Sequence, residues 1–291
     1  MAAHLGVLRG AARGLGPGDR SAAPTARPLA ARGAPSFHPA AGAAAARPPL
    51  RVVVVGAGHP LRSMGWQHMA NVVEGHCGRC YVSDVVEPYF LSAAAATDPA
   101  AAEFERERQA LPSRAWEGQP PIRWHASCDE LPELGGGGPV LAVCAVRTRD
   151  AADALRQLCE KGVTHVYLEK PGAESAAQLA AIRDVTEAHG VQVTMGFNKN
   201  VSDYVQRSLS AAAARPPATA AAEGGAAVTL LQMNDYKPEE LDECFERNSE
   251  GMLRNMAIHE LALAVTYWGL CVPTPSPLQA FACPGPVTRG L

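Results

Sequence analysis

The chain has 291 residues, 47% of them apolar and 19% charged, enough to bury one large or two modest cores in a soluble globular protein. No stretch reaches the roughly 18–20 uninterrupted apolar residues of a membrane span, which excludes a transmembrane role of helical type. The net charge of −3 conceals an asymmetry: residues 1–50 carry six arginines and one acid, leaving 20 basic and 28 acidic side chains, a balance of −8, for residues 51–291. Nucleic-acid binding needs a basic face, so an acidic body argues against that partner.

The leader, residues 1–50, is rich in Ala, Pro, Gly and Ser and has no sustained apolar period. That composition predicts a plastid or mitochondrial transit peptide, with a disordered extension of a cytoplasmic protein as the alternative. From residue 51 short apolar runs alternate with helical stretches. The β-branched run Arg51–Val55 opens into Gly56-Ala57-Gly58, followed by a helix over Met64–Glu74 and a strand over Cys80–Val85. A helix over Ala101–Leu111, a strand at Ile122–His125 and a short helix over Cys128–Leu134 come next. The series continues with strand Val140–Val146, helix Asp150–Gly162, strand His165–Glu169, helix Glu174–His189 and strand Val191–Phe197. Parallel neighbours need crossover connections, so this alternation predicts an α/β fold with a doubly wound parallel sheet.

Beyond residue 198 the pattern changes, and a small, incomplete α+β domain is expected over 199–291. Helix Val201–Ala213 runs into the low-complexity loop Ala211–Ala226. Strand Ala227–Asn234, helix Gly251–Trp268 and one last strand at Leu278–Cys283 complete it.

Three places carry chemistry. A glycine-rich turn after a first strand lets the backbone approach a pyrophosphate and aims the next helix N-terminus at its charge. Gly56, Ala57 and Gly58 supply that turn, although six residues, His59–Met64, precede Gly65 where the plain pattern has two. Asp84, at the expected end of the second strand, has the place of an acid that accepts from adenosine ribose hydroxyls and repels a 2′-phosphate, favouring NAD over NADP. Glu169-Lys170-Pro171 leaves the sheet at the edge where such folds collect ligands, and a lysine there can donate to a nicotinamide carboxamide or a substrate oxygen. On the late helix Asn255 and His259 lie four apart, on one face, and His259 can take a proton near neutral pH. Eight cysteines are scattered along the chain. Cys77-Gly78-Arg79-Cys80 has redox or metal spacing, but no second pair or histidine cluster completes a metal site, and the pair reads as structural.

The segments "RVVVVGAG" with "GWQH", "HVYLEKPGA", "VTMGFNKN" and "GMLRNMAIHELALAVTYWG" follow one another in the order and approximate spacing of a known family. The chain resembles the glucose-fructose oxidoreductase / inositol dehydrogenase / rhizopine catabolism (Gfo/Idh/MocA) family from residue 51 to about 270. The resemblance implies a Rossmann domain over 51–198 and hydride transfer between NAD(P) and a secondary alcohol of a sugar, inositol or related polyol. It implies cofactor contacts at the glycine turn, Asp84 and Glu169-Lys170-Pro171, and substrate contacts at Asn198, Lys199, Asn200 and Asn255. It assigns Lys170 and His259 as catalytic residues and the family's second domain as an oligomer surface. Three departures stand out: the lengthened glycine loop, Val146-Arg147-Thr148-Arg149 where the family often has Thr-Pro, and a second domain with at most two strands of the family's large open antiparallel sheet. Asn255 also holds the place of the family's aspartate. An amide cannot exchange a proton at neutral pH. The alternative is a catalytically weak nucleotide-binding regulator or partner subunit of the same fold.

Overall fold

The computed structural model describes residues 48–60, 62–213 and 257–268, with the isolated positions 239, 242 and 254. The leader up to residue 47, most of the low-complexity loop, the expected strands at 227–234 and 278–283 and Asn255 all lie outside the described residues. Two compact units result, one over Ala40–Gly196 and one that contains Phe197–Leu291.

In the first unit the elements alternate as β1 (Leu50–Val55), α1 (Met64–Val73), β2 (Cys80–Val86), α2 (Pro99–Ala110), β3 (Arg123–His125), β4 (Val140–Cys144), α3 (Ala151–Glu160), β5 (His165–Leu168), α4 (Ala176–Ala188) and β6 (Gln192–Met195). The six strands form one sheet in the order β3-β2-β1-β4-β5-β6, with every pairing parallel. The order reverses between β1 and β4, which is the switch point at which folds of this type open a crevice beyond the strand ends.

Strand periodicity divides the core into two layers. Val52 and Val54 face Trp66, Met69 and Val73 of α1 and Phe104 of α2. Val53 and Val55 face the other layer, with Leu155 and Leu158 of α3 and Ile182 of α4. Burial of such side chains stabilises by about 1.5–3 kcal/mol each. Local signals set the helix starts: Asp98 caps α2 by accepting from Ala100 N at 2.8 Å with Pro99 in the first turn, and Ser175 caps α4 by accepting from Gln178 N.

Two elements are shorter than the sequence implies. The helix expected over Cys128–Leu134 is a single 3₁₀ turn, Cys128–Glu130, because Pro132 disfavours helical backbone at Leu131. Strand β4 ends at Cys144, and Ala145 makes one further ladder bond, its N–H donating to Val55 O at 2.8 Å. The Cys80 thiol donates to Cys77 O at 3.1 Å, and Cys77, Cys80, Cys128, Cys144 and Cys159 are all free. In the second unit a 3₁₀ turn (Asn198–Val201) leads into α5 (Asp203–Ala213), and α6 spans Ile258–Trp268.

Candidate active site

The C-terminal edge of the sheet assembles the site. Gly56 continues β1, its N–H donating to Val86 O at 2.8 Å, and φ values of 82° at Gly56 and 70° at Gly58 put both in the region that glycine alone occupies readily. A Cβ at Gly56 would lie 2.9 Å from Ala145 O and Val146 N. Ala57 between them is fully buried.

The insertion after Gly58 does not displace the third glycine from its task. His59 N–H donates to Ser63 Oγ at 2.9 Å and Ser63 N–H returns a bond to His59 O at 3.0 Å, closing the extra residues into a turn. Beyond that turn Gly65 presses so closely on the loop that a Cβ there would sit 1.9 Å from Gly56 O. Helix α1 thus begins directly against the glycine turn, and its N-cap, Ser63, makes no side-chain cap bond. The first-turn N–H groups of such a helix suit an anionic ligand.

Asp84 does not stand where the sequence places it. It lies inside β2, paired with Val53 after a register shift, with its side chain 0% exposed. Arg123 donates two bonds to it at 2.9 Å, Arg51 one at 3.1 Å, and His125 Nε2 lies 2.9 Å from Oδ1. Burial pushes its pKa up, but hydrogen bonds from Arg123, Ser83, His125 and Arg51 outweigh that and hold it at about 2. A carboxylate so enclosed is a structural anion with no face toward a ribose.

The acid at the end of β2 is Glu87, which the sequence reading passed over. Its Oε2 accepts from Gly58 N at 2.5 Å and its Oε1 from Tyr89 N at 3.0 Å and Phe90 N at 3.2 Å. These bonds use three of the roughly four acceptor sites of a carboxylate. Glu87, 3% exposed, therefore ties the glycine turn to the loop after β2. Pro88, which cannot continue a strand, was the available signal.

Glu169 follows β5, its N–H donating to Cys144 O at 2.9 Å, and the Lys170-Pro171 bond is cis. The Glu169 carboxylate is already engaged by His68 Nε2 at 2.8 Å and by the Tyr167 hydroxyl at 3.3 Å. His68, part of the "GWQH" segment, had received no role from the sequence.

In the second unit Lys199 Nζ donates to Glu260 Oε1, and Asn200 Nδ2 donates to Thr266 Oγ1 at 2.9 Å. The Tyr267 hydroxyl donates to Asn200 O at 2.6 Å, so the segment expected on the substrate side is bound to α6. Asn198 is exposed, and His259 stands edge-on to Phe197 with ring centres 6.4 Å apart.

The family model of the Gfo/Idh/MocA oxidoreductases, described by its NAD-binding Rossmann fold, matches residues 50–197. The chain belongs to the Gfo/Idh/MocA oxidoreductase family. That family is one of oxidoreductases with an NAD-binding Rossmann fold. Among solved structures it is similar to a WlbA dehydrogenase from Bordetella pertussis in complex with NADH and UDP-GlcNAcA, at 16% identity and a TM-score of 0.50 over 75% of this chain and 57% of that one. A putative myo-inositol dehydrogenase from Sinorhizobium meliloti matches at 19% identity and a TM-score of 0.46 over 76% of this chain and 55% of that one. An NAD-binding protein from Listeria innocua matches at 18% identity and a TM-score of 0.38 over 53% and 37%. The chain thus spans well under two thirds of the length of these Gfo/Idh/MocA structures. No curated protein sequence matches it.

The residues present fit the family's dinucleotide. A Cβ at Gly56, Gly58 or Gly65 would lie under 3.0 Å from the chain's own atoms, so the turn and the start of α1 pack as tightly as a pyrophosphate loop requires, and Glu87 stands at the end of β2 where an adenosine ribose is read.

Proposed function

We propose that this chain is an NAD-dependent oxidoreductase acting on a secondary alcohol of a sugar, inositol or related polyol. The observation that carries the reading is the convergence, at one edge of the parallel sheet, of the glycine cradle, Glu87 and the Glu169-Lys170-Pro171 strand end. Bound there, the nicotinamide supplies the hydride acceptor or donor. Every other requirement falls to the chain itself. Glu87 accepts from the ribose hydroxyls and repels a 2′-phosphate, which favours NAD over NADP. Lys170 donates from Nζ to the substrate oxygen and stabilises its developing negative charge. The family resemblance, by itself, assigns the transfer of the hydroxyl proton to His259, without the aspartate whose place Asn255 holds. Asn198 and Lys199 belong to the substrate side in this reading. The sugar-nucleotide and inositol names of the similar dehydrogenases support the substrate class.

The test is turnover by the full-length chain with NAD and a panel of inositols, free sugars and nucleotide sugars, followed by nicotinamide absorbance. Turnover of at least one, with a loss of about a hundredfold in kcat on Lys170→Ala, is expected. Turnover undiminished in Lys170→Ala removes the role given to that residue. A chain that binds NADH yet turns over none of the panel is a nucleotide-binding relative without this chemistry.

A further inference from the structure

Glu169 is the one acid of the strand-end motif, and its carboxylate faces into the protein. Tyr167 and Glu169 lie two apart and therefore on the same side of the sheet, the side that α1 covers. His68 comes from that helix, three residues beyond Gly65. Its Nε2 lies 2.8 Å from Glu169 Oε1, joining positions 101 residues apart, and its ring stands edge-on to Tyr167 with centres 5.1 Å apart. Gly196 closes the remaining side: a Cβ there would fall 2.8 Å from the Tyr167 hydroxyl and 3.4 Å from Glu169 Oε1. A carboxylate oxygen only accepts, so His68 Nε2 carries the proton of this bond. Burial pushes the Glu169 pKa up, but the His68 bond and charge, with the Tyr167 hydroxyl and the Lys170 backbone N–H, hold it below the usual carboxylate range.

The geometry points to His68 as a positioning residue for the nicotinamide end of the site: by holding the Glu169 carboxylate it fixes the backbone that carries Lys170. Helix α1 then has two tasks. Its start abuts the glycine turn through Gly65, and its next turn reaches across the sheet to the strand end after β5. The two halves of a dinucleotide site are thereby set at a fixed spacing by one helix. This inference rests on the reading that Lys170 faces the nicotinamide.

The experiment compares the full-length wild type with His68→Ala, His68→Gln, Glu169→Gln, Lys170→Ala and the His68→Ala/Glu169→Gln double variant. Each is titrated with NADH, reading both affinity and the emission of the bound nicotinamide, and separately with ADP-ribose, which lacks the nicotinamide. For His68→Ala the expected result is ADP-ribose affinity within about twofold of wild type, with NADH affinity down roughly tenfold and the nicotinamide emission change lost, as in Lys170→Ala. His68→Gln, whose amide still donates to Glu169, recovers most of the emission change. The double variant is no worse than His68→Ala alone, because loss of the imidazole already breaks the bond that Glu169→Gln only weakens. The inference is overturned if His68→Ala keeps the wild-type emission, or if it loses ADP-ribose and NADH together, as loss of a merely structural support would. Wild-type chain that binds ADP-ribose but shows no emission change with NADH contradicts the nicotinamide-facing reading of Lys170 itself.

Discussion

Gly65→Ala is the substitution whose outcome the geometry specifies most sharply. A helical glycine replaced by alanine ordinarily gains about 0.5–1 kcal/mol from reduced backbone freedom in the unfolded chain. Here the added Cβ would stand 1.9 Å from Gly56 O and 3.1 Å from Ala57 Cα, whereas ordinary contact begins near 3.4 Å. Helix α1 must therefore withdraw from the glycine turn by about 1.5 Å, and overpacking of this kind costs about 1–3 kcal/mol. The net is a loss of about 1–2 kcal/mol, or roughly 2–8 °C in Tm for a domain of this size. The displacement falls on the part of the helix that receives the pyrophosphate, so NADH affinity drops by about tenfold as well. Gly137→Ala is the control, since a Cβ there meets nothing within 4 Å and its backbone is not left-handed. Thermal unfolding and NADH titration of both variants decide the matter. A Gly65→Ala protein as stable as Gly137→Ala, with unchanged NADH affinity, would refute the reasoning.

Further outcomes follow from the rest of the structure. Asp84→Asn leaves Arg51, Arg123 and His125 without their shared anion, and we expect a stability loss of about 1.5–3 kcal/mol in denaturant unfolding at neutral pH. Because the folded-state pKa of Asp84 is depressed from 3.8 to about 2, its stabilisation is present above pH 3.8 and is lost as pH falls toward 2. Acid unfolding of the wild type should show that segment, and Asp84→Asn should lack it. Phe104, stacked on Phe90 at 4.7 Å and edge-on to Trp66 and Trp124, should cost about 3–5 kcal/mol on truncation to alanine, read by the same unfolding curves. Among the five described cysteines Cys77 alone is exposed, while burial pushes Cys144 up to about 12. Alkylation of the native protein followed by peptide mass mapping should therefore mark Cys77 first among these five, and marking of Cys144 before it would contradict the packing.

What the sequence disclosed is what local periodicity encodes. Runs such as Val52–Val55 and Val140–Cys144 are β-branched or apolar throughout because both faces of a central parallel strand are covered, and the helical spans between them fix the crossover order. The glycine turn was legible for the same reason, since its backbone demands are met by residue type alone. Contacts between distant positions were not. Asp84 reads locally as a turn acid, and only Arg51 and Arg123, 33 and 39 residues away, make it a buried anion. The bulge in β2 at Ser83 carries the strand on to Val86 and passes the terminal position to Glu87. His68 and Glu169 are separated by a hundred residues of alternating elements, and no local pattern joins them. Gly65 looked displaced by the lengthened loop, yet a closed turn of the inserted residues restores its contact.

The central claim is a dinucleotide site built on Gly56, Gly58, Gly65 and Glu87, and paired titrations of the full-length chain with NADH and NADPH, wild type against Glu87→Ala, test it most directly. Wild type is expected to bind NADH at least about tenfold more tightly than NADPH, and Glu87→Ala to weaken NADH and narrow that gap. Binding of neither nucleotide, or a preference for NADPH that Glu87→Ala leaves untouched, would contradict it.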